Sequence, residues 1–432
     1  MEISSLYEQA KTDEEIYFLI LSIILKQAFI KINKKRGRIM LPKIVGDVYS
    51  SVSEKELERR RVAVQEAMAK KGVDCIVLVA FSADMGSAVK YFSDLHVGPY
   101  GAYILMPREG GITYFCHGAE GTQGTNYPYS KSFEGNYAYP HMVAFPFTNN
   151  YMPTEVVKWI KSKNYSKIGM YRQQHLSYLI VDAIRENVPG SEFISMDEEI
   201  DCLQAVKSDE EIETFKQVVK MHDNIIAACS AFIRPGRLER EIATDILKLA
   251  YDNYCEPYNI MVGSGHPIGR YKGLLAGNKR IEFGDIVDIL VEITLPGGFW
   301  GEVSRTWSLG EPSKEQLEAF KDVLEIQEHI ASLAKPGVAA CDLMLEFHKF
   351  QEAHGYNIER RLFAHGQGFD VVARPCFMPG DTMKLQENMF ITIHPVLIND
   401  RICAHITDNF LITKNGAQIL NKAPREISVI DY

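Results

Sequence analysis

Carboxylate and imidazole side chains recur along β-like stretches in the second half of this 432-residue chain. Glu292 stands ten residues before Glu302, and His405 stands two residues before Thr407. Because side chains alternate between the faces of a strand, His405 and Thr407 are expected on one face. Carboxylates and imidazoles bind divalent metal ions and transfer protons. These residue types are therefore suited to metal-assisted or acid–base chemistry.

Other kinds of chemistry are disfavoured by composition and spacing. The eight cysteines are scattered without a C-x-x-C pair, which is unlike a disulfide scaffold and typical of reduced thiols in the cytoplasm. The net charge is −9, and no run of Lys or Arg is long enough to follow a phosphate backbone, so nucleic acid is not expected as a partner. Apolar residues make up 46% and charged residues 24% of the chain, as in ordinary globular proteins.

The N-terminal segment contains an apolar stretch at 17–30 that is interrupted by Lys26. This stretch is too short to span a bilayer, and acidic rather than basic residues precede it, unlike a secretory signal. We interpret residues 1–39 as an appended helix with a basic linker, with a membrane-surface role as the alternative. Met40 offers a second possible translation start. No stable membrane insertion is expected.

The elements of residues 40–200 predict a small α/β domain. The continuous apolar run at 75–80 is typical of a strand that is buried on both faces. The remaining pattern predicts a helix over 54–70, strands at 102–106, 112–116 and 168–171, and helices near 154–163 and 176–187.

Residues 201–432 contain one unit twice. Ser208 and Ser313 each open a capping-box pattern before a helical apolar repeat, and the Pro-Gly pairs at 235–236 and 336–337 end these helices. A second helix and β-like stretches follow each pair, so the unit recurs after about 100 residues. The β-like stretches are 286–293, 299–308, 388–397 and 403–413. This repeat predicts pseudo-twofold symmetry with strands meeting at the centre.

Five ordered stretches resemble the methionine aminopeptidase, Xaa-Pro dipeptidase and creatinase superfamily. They are 206–212 (VKSDEEI), 298–306 (GFWGEVSRT), 364–368 (AHGQG), 387–395 (ENMFITIHP) and 404–413 (AHITDNFLIT). With a creatinase-like N-terminal domain, the resemblance covers roughly residues 55–430. It implies an α/β "pita-bread" fold, in which two halves surround a curved sheet, and a homodimer.

The resemblance also implies where the chemistry lies. Family peptidases hold two divalent metals with Asp, Asp, His, Glu and Glu, which activate a bridging water. The second Asp corresponds to Glu302, the His to His365, the first Glu to His394 and the last Glu to Thr407. The first Asp falls on Leu290 or Val291, depending on the side from which the alignment is counted.

Glu292 shares the strand face of Leu290, and the dimethylsulfoniopropionate lyase branch of the superfamily has an acidic residue at that position. The resemblance thus implies a site of Glu302, His365 and His394, with Glu292 as a possible fourth ligand. Imidazole and carboxylate suit one Zn, Fe or Mn ion. A metal-free acid/base pair of His365 and His394, or two metals, are the alternatives.

Two family histidines are absent, which makes ordinary Xaa-Pro dipeptidase activity doubtful. One position falls on Val372 and the other near Lys272, which we treat as a substrate-binding candidate. Arg374 could bind a substrate carboxylate, because a guanidinium suits bidentate pairing, or it could form a structural ion pair. His266 lies on a turn that the resemblance places over the site. His405 is a further catalytic candidate, and Asp408 is expected behind it.

We therefore expect a hydrolase that cleaves a C–N bond in a small, polar, carboxylate-bearing molecule. A lyase that removes a proton next to a carboxylate is one alternative. A pseudopeptidase that binds a peptide or protein without cleaving it is the other.

Overall fold

A computed structural model describes residues 52–82, 85–95, 97, 101–119, 133–139, 151–256, 258–265 and 277–431. It also describes two short antiparallel strands, Ile44–Val45 (β1) and Val48–Tyr49 (β2), in a separate unit formed by residues 1–49. The predicted N-terminal helix and linker lie outside the described residues. Within the described part of the chain, no helix is long and apolar enough to cross a membrane.

The N-terminal part of the second unit, which begins at Ser50, is an α/β domain. Its elements are Glu54–Lys71 (α1), Cys75–Ala80 (β3), Ser87–Ser93 (α2), Ala102–Pro107 (β4), Ile112–His117 (β5), Phe133–Tyr139 (β6), Tyr151–Ser162 (α3), Lys167–Met170 (β7), Tyr178–Asn187 (α4), Glu192–Ser195 (β8) and Asp197–Ala205 (α5). The described strands form one sheet in the order β6-β5-β4-β3-β7-β8. Every residue of β3 is buried, as its apolar run predicts.

The C-terminal part repeats a helix pair followed by strands. Its first half contains Asp209–Cys229 (α6), Glu239–Asp252 (α7), Tyr258–Gly265 (β9), Ile286–Thr294 (β10) and Trp300–Leu309 (β11). Its second half contains Lys314–Leu333 (α8), Ala340–Ala353 (α9), Ala364–Gly366 (β12), Ala373–Cys376 (β13), Phe390–Ile393 (β14), Val396–Ile398 (β15), Cys403–His405 (β16), Asp408–Thr413 (β17), Gly416–Ile419 (β18) and Ile427–Ile430 (β19).

The helix starts follow from their caps. Ser208 accepts a hydrogen bond from the Glu211 N–H, and the Glu211 side chain accepts one from the Ser208 N–H, which completes the predicted capping box. Ser313 likewise accepts from the Gln316 N–H at the start of α8. The repeat of helix pair and strands is thereby confirmed.

Two sheets meet at the centre of the C-terminal part. One has the order β19-β11-β10-β9 and the other the order β13-β12-β14-β17-β18. An antiparallel bridge between Ser304 and Thr407 connects them. The Asn409 side chain reinforces this seam, because it accepts from the Glu302 N–H at 3.1 Å and donates to the Glu302 carbonyl at 2.7 Å.

A shared core and buried polar contacts join the two parts. Val64 and Ile104 of the N-terminal sheet region belong to the same apolar cluster as Phe215, Phe299 and Phe390. This continuity holds the C-terminal sheets against the N-terminal domain.

Asp370, in the loop after β12, is one polar link between the parts. Its carboxylate accepts from the Ser87 N–H at 3.0 Å, from the Ser87 hydroxyl at 2.7 Å and from Arg172 at 2.8 Å. Asp370 is therefore bound to two separate elements of the N-terminal domain.

Candidate active site

The antiparallel pair β10–β11 forms a polar wall. Its register places Glu292 opposite Glu302, Leu290 opposite Ser304, and Asp288 opposite Thr306. The intervening residues point the other way and pack in an apolar core. They include Val287, Ile289, Val291, Ile293, Val303 and Trp307. Alternation along these two strands thus collects the polar side chains on one face.

His365 and His394 come from the second sheet. His365 lies on β12 and pairs with Thr392 of β14, and its Nδ1 is 2.8 Å from the Gly366 carbonyl. Glycine is required at 366 because a Cβ there would overlap the Arg374 carbonyl. His394 directly follows β14, and its backbone N–H donates to the Phe363 carbonyl at 2.8 Å.

The structure brings Glu302, His365 and His394 together. One potential ligand atom from each lies within 4.8 Å of the other two. His365 Nε2 is 3.2 Å from Glu302 Oε1, and the two imidazole rings are 5.2 Å apart between centroids. Glu302 and His365 are each 4% exposed, and His394 is partly buried.

Within this group, the pKa values of Glu302 and His394 keep the first side chain charged and the second neutral. Burial alone would raise the pKa of Glu302, but the neighbouring imidazoles of His394 and His365 outweigh it and lower the pKa to about 2. Burial lowers the pKa of His394 to about 3, although the Glu302 charge opposes this shift. At neutral pH the group therefore contains an ionised carboxylate beside an uncharged imidazole.

This donor set fits a divalent metal ion. Glu302 Oε1 is buried, and it has no hydrogen-bond partner among the described residues, although His365 Nε2 lies 3.2 Å away. A buried carboxylate oxygen without a partner is costly unless it has a ligand. Two imidazoles and one carboxylate are the ligands found in mononuclear Zn and non-haem Fe sites.

Glu292, the expected fourth ligand, does not join the group of Glu302, His365 and His394. Its carboxyl accepts a short hydrogen bond from the Asn259 side chain. Burial, followed by the negative charge of Glu302, raises its pKa well above the ordinary value. The role of Glu292 as a fourth metal ligand therefore stays a prediction.

His405 also lies outside the three-residue group. Its Nδ1 is 3.0 Å from Asp288 Oδ2, and its Nε2 is 3.0 Å from Thr407 Oγ1. The prediction that His405 and Thr407 share a face is confirmed by this contact. Asp288 was not predicted as a site residue, although it shares a strand face with Leu290 and Glu292. Asp408 points away from the site and pairs with Arg305 at 2.7 Å.

Arg374 is engaged by acidic residues. Its guanidinium donates to both Asp381 oxygens, at 3.1 and 2.8 Å, and to Glu198. The Asp381 carboxylate, above all, raises the pKa of Arg374. This arrangement favours the structural ion pair over the binding of a substrate carboxylate. The other two substrate-binding candidates, His266 and Lys272, lie outside the described residues.

An N-terminal α/β domain followed by two α/β halves around central sheets is the architecture of pita-bread hydrolases. Comparisons with known proteins agree with this class. Residues 213–414 match the model of metallopeptidase family M24, and residues 60–206 match the creatinase/prolidase N-terminal domain. The chain belongs to metallopeptidase family M24.

Individual relatives support this membership. The chain is 32% identical over 269 residues to a Xaa-Pro dipeptidase from Pyrococcus furiosus. This alignment covers 61% of this chain and 76% of the relative. It is 23% identical over 339 residues to a creatinase from a Bacillus species, covering 76% and 78% of the two chains. The solved prolidase from Pyrococcus horikoshii OT3 aligns with a TM-score of 0.69 and 25% identity, covering 85% of this chain and 99% of that one. The predicted fold class and hydrolase assignment are therefore confirmed.

Proposed function

We propose that this protein hydrolyses a C–N bond in a small polar substrate, with one divalent metal ion held by Glu302, His365 and His394. The carrying observation is the convergence of these three side chains within 4.8 Å. When bound, such an ion polarises a carbonyl oxygen and lowers the pKa of water. Zn, Fe and Mn all suit the donor set.

The side chains of the chain itself define the rest of the chemistry. Glu302 supplies the negative charge of the group, and the hydrogen bond of His365 Nδ1 to the Gly366 carbonyl orients Nε2 toward Glu302. Thr407 stands where the resemblance places the last metal-binding glutamate of the family, which supports one metal rather than two. Because Asp381 and Glu198 engage Arg374, we do not assign it to a substrate carboxylate.

The chain departs from an ordinary Xaa-Pro dipeptidase at two positions. Val372 replaces a family histidine and is 40% exposed, and it can neither donate nor accept a proton. Thr407 replaces a metal ligand. We therefore propose that the substrate is another small molecule with an amide or related C–N bond, and we retain the homodimer as a prediction.

The test begins with metal analysis of protein purified without chelator. We expect one divalent ion per chain in the wild type, its loss in His394→Ala and its recovery in His394→Glu, which restores an anionic ligand. His354→Ala is the matched control, because His354 is exposed and its Nδ1 is bonded to the Phe350 carbonyl. An unchanged metal content in His394→Ala would rule out the ligand role.

The same protein is then incubated with a panel of N-acyl amino acids, guanidino acids and dipeptides, and release of amine is measured. We expect turnover of one substrate class and negligible turnover of Xaa-Pro dipeptides, even with added Mn or Co. Amine release without bound metal would support the metal-free acid/base alternative. Efficient cleavage of a Xaa-Pro dipeptide would contradict the proposed divergence.

A further inference from the structure

Three hydrogen-bonded side chains, those of Asp288, His405 and Thr407, form a series beside the polar wall of β10 and β11. Asp288 Oδ2 is 3.0 Å from His405 Nδ1, and His405 Nε2 is 3.0 Å from Thr407 Oγ1. The three residues are 3%, 4% and 0% exposed, respectively. A carboxylate, an imidazole and a hydroxyl are thus connected in series inside the protein.

The order of the partners determines the direction in which protons move. The Asp288 carboxylate can only accept a hydrogen bond when ionised, so it holds the imidazole proton on Nδ1. Nε2 is then left with its lone pair and accepts from the Thr407 hydroxyl. His405 is therefore positioned to take a proton from Thr407 and to return it.

Thr407, which supplies the hydroxyl at one end of this hydrogen-bonded series, is on the side of the polar wall where Glu302 lies. Thr407 bridges Ser304, so the two side chains lie on the same face. Ser304 is two residues from Glu302 on β11, a separation of about 7 Å between Cα atoms. Thr407, the last residue of the hydrogen-bonded series, thus lies one row of side chains away from the group of Glu302, His365 and His394.

Unpartnered polar atoms surround the same chain. Asp288 Oδ1, Ser304 Oγ and Thr306 Oγ1 are buried, and none has a hydrogen-bond partner among the described residues. Buried polar atoms normally have partners, and where protein groups do not supply them, water or ligand does. Three such atoms on one wall indicate a place where polar reactant atoms are bound.

The geometry points to a proton relay formed by Asp288, His405 and Thr407, which serves the hydrolysis proposed above and rests on it. The attacking water passes a proton to Thr407 Oγ1 as Thr407 passes its own proton to His405 Nε2. The hydroxide oxygen bonds to the substrate carbon, and the relay returns the proton to the leaving nitrogen as the C–N bond breaks. No proton or electron is left over.

This relay accounts for two departures from the family pattern. It supplies the proton transfer that an imidazole at position 372 would otherwise provide. It also gives Thr407 a role other than metal binding.

Kinetics on the panel substrate turned over by the wild type test the relay. Thr407→Val keeps the side-chain shape but removes the hydroxyl, and we expect kcat to fall by about 10²-fold or more, with KM and metal content unchanged. Thr407→Ser restores the hydroxyl and should regain most of this loss. Thr413→Val is the matched control six residues later, at the end of β17, because the Thr413 hydroxyl donates a hydrogen bond to the Gly416 carbonyl in a turn. A Thr407→Val variant with wild-type kcat would overturn the relay.

A second measurement does not depend on turnover. Nitrogen-15 NMR of the full chain with labelled histidines reports which ring nitrogen of His405 carries the proton, with the signal assigned by its loss in His405→Gln. We expect the Nδ1–H form in the wild type and the Nε2–H form in Asp288→Leu, with no change in the exposed control Asp252→Leu. The Nε2–H form in the wild type would overturn the relay. If no panel substrate releases amine, the proposed function fails, and this result still decides the relay geometry.

Discussion

At the scale of single residues, the surroundings of Glu302 and His394 lower the pKa of both side chains. The Glu302 carboxylate stays ionised because imidazoles face it, whereas His394 stays neutral because burial disfavours its charged form. Each of these pKa values lies below that of the same side chain in an unfolded chain. Acid therefore protonates the unfolded state first and favours unfolding.

The lowered pKa of His394 predicts how stability depends on pH. The pKa of His394 is about 3 in the folded protein against an ordinary value of 6.5, so stability is lost as pH falls below about 6.5. In metal-free protein between pH 6 and 4, we expect the wild type to lose about 1.4 kcal/mol more per pH unit than His394→Gln. Urea unfolding at several pH values measures this slope. His354→Gln should follow the wild type, and equal slopes for wild type and His394→Gln would contradict the prediction.

At the scale of elements, the short strand β12 holds His365 because Gly366 allows close packing. The Arg374 backbone of β13 lies where a side chain at 366 would be, so the two strands can approach only with glycine there. His365 is adjacent to this contact, and its orientation depends on it.

Gly366→Ala should therefore disturb both stability and the site. We expect a loss of at least about 2 kcal/mol of unfolding free energy, since backbone rather than a flexible side chain must move, together with weaker metal binding. Gly368→Ala, two residues after β12 ends, is the matched control, because a Cβ there would lie 3.5 Å from the Ala373 Cβ, an ordinary contact. Chemical unfolding and metal titration of both variants provide the measurement. Equal effects of the two substitutions would argue against the packing explanation.

The same elements show what can be read from sequence. Alternation correctly placed His405 and Thr407 on one face, because a strand has a fixed two-residue period. The same alternation puts Asp288, two residues before Leu290 on β10, on this face as well. Strand alternation could not predict the ion-pair partners of Arg374. One of its partners, Glu198, is 176 residues distant in the sequence, so only the folded chain shows that the guanidinium is engaged.

At the scale of the whole molecule, the N-terminal domain contacts the loop that follows His365. Asp370 in this loop accepts hydrogen bonds from the start of α2 and from Arg172. The loop is thereby tied to both parts of the protein.

Asp370→Ala should consequently be strongly destabilising. Removing one partner of a buried ion pair leaves Arg172 without its closest carboxylate, and we expect a loss of about 3–5 kcal/mol. Glu315→Ala, which breaks the exposed pair with Arg401, should cost less than about 1 kcal/mol. Urea unfolding monitored by tryptophan fluorescence compares the two variants. Similar losses would show that the domain contact contributes little.

The seam between the two central sheets also determines when the site can form during synthesis. Glu302 is bound through its backbone to Asn409, which lies 107 residues later in the sequence. A nascent chain therefore cannot complete the site while residues near 409 are still inside the ribosome. The first half of the C-terminal part therefore leaves the ribosome before its polar wall can pair with the second sheet, and the ligand set is complete only once Asn409 has emerged.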